Sequence, residues 1–163
     1  MMSPEAFAAL EGSLVQKLEG LERLVALAEA NRQALITHDV DAIIEINQKQ
    51  TDELSRLDRV QRASAKMLER LAAALGVDGE GVSLSVVAPL LPDRQRERLE
   101  ELSGRLTEEA SRLATASEIN ATLSANALEF IRLTLNAVSQ AQQEEVGQPV
   151  PAAPGSLVLD AQV

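Results

Sequence analysis

The sequence predicts an all-α fold. A long antiparallel helical hairpin plus a third long helix should form an elongated three-helix bundle or coiled coil with a disordered C-terminal tail. Three observations predict it. Apolar residues recur in alternating steps of three and four over most of the 163-residue chain. Leu and Ala dominate beside Glu, Arg and Gln, and aromatics are 1% of residues, Phe7 and Phe130 alone, which is the composition of long helices. Helix breakers fall at few places, so the periodic segments between them are long.

The first helix is expected over residues 4–36. Ser3 is placed to cap it and Pro4 to occupy its first position, where a missing N–H costs nothing. Its stripe is Phe7, Leu10, Leu14, Leu21, Leu24, Ala28 and Leu35, with Lys17 and Asn31 on the same seam and Leu18, Val25 and Ile36 widening it.

Thr37-His38-Asp39 breaks the pattern. Asp39 is a good N-cap for a second helix over about 39–75, and Asp41 in its first turn suits the helix dipole. That helix carries Val40, Ile43, Asn47, Gln50, Leu54, Leu57, Gln61, Ser64, Leu68, Leu71 and Leu75, and Gly76 is a natural stop. Two helices joined by so short a turn must be antiparallel neighbours, roughly 50–55 Å long at ~1.5 Å per residue. A connector over 77–92, punctuated by Gly79, Gly81, Pro89 and Pro92, should lay apolar residues on the hairpin.

Asp93 is expected to cap the third long helix, over about 93–143. One stripe runs Leu99, Leu102, Leu106, Leu113, Ala116, Asn120, Leu123, Ala127 and Phe130. A second appears late, at Ile119, Leu128, Ile131, Leu135 and Val138. The late part of this helix is therefore apolar on more than one side. It is either a core helix packed on both hairpin helices or a helix that binds a partner, and periodicity alone does not choose. From Glu144 apolar content falls, and Gly147-Gln-Pro-Val-Pro-Ala-Ala-Pro-Gly-Ser cannot continue a helix. The organisation is thus one helical domain, 1–143, and a flexible tail, 144–163. The apolar end of that tail, Leu157, Val158 and Leu159, is expected to order on a partner.

The charge is −10 with a pI near 4.6, which repels nucleic-acid phosphates and anionic membranes. No cysteine is present, so disulfides and thiolate metal sites are excluded. No signal-peptide pattern opens the chain and no run is long enough to span a membrane, so a cytoplasmic location without membrane insertion is expected. His38, the single histidine, lies in a turn without other ligands and reads as solvated. The pairs Glu100-Glu101, Glu108-Glu109 and Glu144-Glu145 read as solvated helix faces rather than acid–base dyads. No phosphate loop or nucleophile motif is found, and neither an enzyme, a catalytic residue, a metal nor a cofactor is expected. Asn120-Ala-Thr122 matches a glycosylation sequon inside a predicted helix and reads as chance. The polar seam residues Asn31, Asn47, Gln50, Gln61 and Asn120 either fix helix register in the core or serve a partner.

Two blocks together carry a resemblance. They are Leu24 to Gln50, with His38-Asp39 at its turn, and Asn120 to Asn136, with Leu128-Glu-Phe-Ile131 at its centre. Both resemble FlgN-type proteins, the flagellar export chaperones of bacteria, and the likeness covers most of residues 5–140. Family tails often carry an aromatic residue and a final Gly. The end of this chain, Leu157 to Val163, is similar but has neither. The resemblance implies a cytoplasmic, non-enzymatic chaperone. Its clients would be hook-associated proteins 1 and 3, held by their helical ends before type III export, and it would dock on the flagellar export gate. Under that reading the second stripe is the client face. Leu123, Leu128, Phe130, Ile131, Leu135 and Val138 are then the partner-binding residues, although Phe130 lies on the first stripe, where a core role is open. The alternative is a structural coiled coil that self-associates through the third helix as a homo-oligomer.

Overall fold

A computed structural model of the chain describes residues 4–77 and 81–146. All regular structure among them is helical: α1 (Pro4–Thr37), α2 (Val40–Ala74), a single turn α3 (Leu84–Val87), a 3₁₀ turn (Ala88–Leu90) and α4 (Asp93–Val146). The cap expected of Ser3 lies outside the described residues. The chain divides into two compact units, 1–120 and 121–163, so the boundary falls within α4.

In the first unit α1 and α2 pack as antiparallel neighbours. The turn between them closes with two hydrogen bonds: His38 N–H donates to Leu35 O and Asp39 N–H to Ala34 O, at 3.4 and 3.0 Å. This is a Schellman end, and it puts His38 in the left-handed region at φ 56°. Asp39 caps α2 as expected, its Oδ1 accepting from Ala42 N–H at 3.0 Å. The far end of α2 repeats the motif with Gly76 at φ 77°, Val77 N–H donating to Ala72 O at 2.9 Å. At the start of α4 the expected cap is displaced by one residue. Arg96 N–H donates to Pro92 O at 2.9 Å, and Asp93 lies in the first turn, paired with Arg96.

The helices of the hairpin approach closely at Gly20. A Cβ there would stand 2.7 Å from Leu57 Cδ2 and 3.1 Å from Glu53 Oε1. Glu53 is held at this crossing by Arg23 from α1, at 2.9 Å, and Arg56 from its own helix, at 3.1 Å. The core gathers Phe7, Leu10, Leu14 and Leu18 of α1 with Leu68, Leu71 and Ala72 of α2. Val87 and Leu91 of the connector join them, as do Leu99, Leu102 and Leu106 of α4. The first part of α4 runs parallel to α1. Arg98 Nε donates to Glu11 at 2.6 Å, Arg105 reaches Glu22 at 3.3 Å, and Asn120 Nδ2 donates to Ala28 O at 2.9 Å. The guanidinium of Arg98, bonded by Glu11 and then Glu101, titrates above its ordinary range.

The α2 seam departs from the expected stripe. Every buried residue of α2 lies at or beyond Ser64, while Val40, Asn47, Leu54 and Gln61 are exposed. The physical reason is helical phase. A seven-residue repeat on a straight helix drifts by ~20° per heptad, and over the 35 residues of α2 that amounts to about 100°.

Candidate functional site

The residues picked out from sequence lie on the second unit, whose described part is the helical segment 121–146. Helix formation here is unremarkable: Ala and Leu are strong formers, and no Gly or Pro interrupts the segment. Its side chains set it apart. Leu128 is 68% exposed and Phe130 69%, with Ile131, Leu133 and Val138 each at least half exposed. Leu123 and Leu135 are half-buried. Phe130, for which a core role was open, is therefore among the most exposed of the large apolar residues.

At ~100° per residue, Phe130, Leu123, Ala127, Val138, Ile131, Leu135 and Leu128 occupy a continuous arc of about half the circumference. A surface helix normally needs an apolar stripe little wider than ~100°. The polar remainder consists mainly of amides and hydroxyls; Thr134 Oγ1, for example, folds back onto Phe130 O at 2.9 Å. Between 121 and 143 the only charged side chains are Glu129 and Arg132. The segment thus offers a broad, nearly uncharged apolar face.

Leu133 was missed from sequence because it lies outside both stripes; its exposure, 59%, adds it to the surface. A second group was also missed. Ile36, Val40, Ile44 and Leu54, near the hairpin turn in the first unit, are all more than half exposed. Their heptad spacing made Val40 and Leu54 look like core. The tail residues Leu157, Val158 and Leu159 lie outside the described residues.

The polar seam residues divide. Asn120 is buried, and its amide nitrogen is bonded to the α1 backbone. That is a core contact, and it leaves the sequon side chain enclosed. Asn31 is half-buried, with Oδ1 unpartnered, like Oδ1 of Asn120. Asn47 and Gln61 face solvent. His38 is an exposed turn residue. Of the carboxylate pairs, Glu101 pairs with Arg98, and Glu108 and Glu109 both pair with Arg112. Among the described residues no group of three His, Cys, Asp or Glu is placed to hold a metal ion. None of the described helices is long and apolar enough to cross a membrane.

Comparison with known proteins matches a family model described as FlgN protein over residues 1–147. No curated protein and no solved structure matches the chain. The family match spans most of the chain, which therefore belongs to the FlgN family of flagellar export chaperones.

Proposed function

We propose that this FlgN-family chaperone holds the helical ends of hook-associated proteins 1 and 3 on the apolar arc of residues 123–138, keeping them from assembling before type III export. The observation that supports the reading is the exposure of Leu128, Phe130 and Ile131 on a helix with almost no charge. An arc of about half the circumference is wider than one partner helix covers, so two client helices close around it. Burying four or five of these side chains at ~25 cal/mol per Å² contributes several kcal/mol before association costs. That fits capture tight enough to hold and weak enough to release without chemistry in the chaperone itself. The protein acts as a non-enzymatic binder in the cytoplasm, and docking on the export gate follows from the same role.

The test is capture of purified hook-associated protein 1 or 3 by the intact chain. Leu128→Asp and Ile131→Asp should each weaken capture by at least about ten-fold, with the helical circular dichroism and melting temperature unchanged. Capture that survives both substitutions sinks the proposal. Light scattering separates the alternative reading. A stable oligomer of the free chain, dispersed by Ile131→Asp, would make the arc a self-association seam.

A further inference from the structure

We infer that the hairpin carries a second docking surface, on the exposed side of α2 near the turn, and that its occupant is a basic amphipathic helix of a partner protein. The surface belongs to the first unit and shares no residue with the arc of 123–138.

Val40, Ile44, Asn47, Thr51 and Leu54 lie at i, i+4, i+7, i+11 and i+14, the spacing of a two-heptad coiled-coil seam. All five are exposed, Val40 to 64% and Ile44 to 63%. α2 already turns a different side to α1, the one carrying Glu53 and Leu57 that meets Gly20. The seam is therefore a second apolar side of the same helix. Asn47 is the one amide in it, of the kind that fixes register in coiled-coil seams at some cost in stability. Thr51 Oγ1 donates to Asn47 O at 3.0 Å, leaving the Thr51 methyl group on the surface.

Charge selects the occupant. Residues 39–54, the length of the seam, hold five carboxylates, Asp39, Asp41, Glu45, Asp52 and Glu53, against one cation, Lys49. Lys49 is engaged by Glu45 at 2.6 Å, and Glu53 by Arg23 and Arg56 at 2.9 and 3.1 Å, which leaves Asp41 and Asp52 without a cation among the described residues. The Lys49 ammonium, bonding Glu45, holds that carboxyl below its ordinary range, so it stays ionised. Asp41 borders the seam, and Asp52 and Glu45 lie a little further round α2 on the same side; all three are exposed. A second copy of this chain would bring the same carboxylates against them. A helix with an apolar stripe of coiled-coil spacing, flanked by Lys or Arg, meets both the seam and its acidic flank.

The experiment uses the intact chain and a labelled synthetic helix with Leu at coiled-coil spacing and Lys on its flanks, read by fluorescence anisotropy. Three controls accompany it: a Glu-for-Lys counterpart, a scrambled Lys peptide of identical composition, and light scattering of the free chain. The Lys helix should bind. Its affinity should fall at least about ten-fold in the double variant Ile44→Ser/Leu54→Ser, in Asp41→Lys/Asp52→Lys, and on replacing Lys by Glu in the peptide. Binding should persist in Ile131→Asp, which separates this surface from the client arc. The inference is overturned if the Lys helix does not bind, if the scrambled peptide binds equally well, or if Ile131→Asp abolishes binding. It is equally overturned if the free chain is a dimer that Ile44→Ser disperses, because the seam is then covered by a second copy.

Discussion

His38 occupies the one backbone position of the hairpin turn where a side chain is a liability. Its φ of 56° is the left-handed conformation that glycine adopts without steric cost. Gly76 fills the equivalent position at the end of α2. His38→Gly should therefore stabilise the fold by about 1 kcal/mol, read as a higher urea midpoint with unchanged slope. Lys17 is a different liability. It lines an open groove with Leu10, Leu14 and Leu68, and burial pushes its pKa below the ordinary 10.5. The folded state therefore holds this proton less tightly than the unfolded state. Below the folded pKa both states are protonated and the full penalty applies. As pH rises through the folded pKa toward 10.5, the folded state loses its proton first and the penalty is released. Lys17 is only half-buried and solvent screens part of the penalty, so Lys17→Met should raise stability at pH 7 by no more than about 0.5 kcal/mol. Urea titrations at successive pH values should show that gain shrinking as 10.5 is approached.

At the scale of elements, Gly20 shows where local propensity and packing disagree. Alanine is the better helix former by about 1 kcal/mol, yet its methyl group would stand 2.7 Å from Leu57 Cδ2. Gly20→Ala should destabilise the hairpin by roughly 1–2 kcal/mol. In the Leu57→Ala background the same substitution should cost little or become favourable, and a double-mutant cycle by thermal melts measures the coupling. Gly12 and Gly104 have no atom within 4 Å of a built Cβ, so Ala there should be stabilising.

The elements also mark how far the sequence could be read. Helix class, the turn at 37–39, the Asp39 cap and the Gly76 stop follow from chemistry confined to a few neighbouring residues. The close approach at Gly20 does not, because it depends on which residue of α2 lies opposite. The exposure of Val40 and Leu54 was hidden for another reason: they hold the correct heptad spacing, and only the accumulated phase drift carries them off the α1 contact. On α4 the second stripe was visible in the pattern, but its exposure was not. Periodicity reports that a residue is apolar and on which side, and leaves open whether anything covers that side.

For the molecule as a whole, apolar cover is unevenly distributed. The largest fully enclosed side chains, Leu10, Leu71, Val87, Leu99 and Leu102, all belong to the first unit. In the second unit, residues 121–145 include no buried residue. Amide hydrogen exchange should follow this difference. Protection should be highest around Leu10, Leu71 and Leu99 and approach that of an isolated helix over 121–146. Adding a hook-associated client should slow exchange over 123–138. Uniform protection throughout α4 in the free chain would contradict the proposal that this segment is an uncovered binding helix.

The scarcity of charge between 121 and 143 has a kinetic consequence. With Glu129 and Arg132 alone, the arc has almost no field of its own to draw a client in. Encounter there should run near the unsteered rate of about 10⁵–10⁶ M⁻¹s⁻¹ and change little with ionic strength. At such rates the time a newly made client spends uncovered is set by how many chaperone molecules are present. Abundance, rather than speed of approach, then becomes the quantity a cell must control.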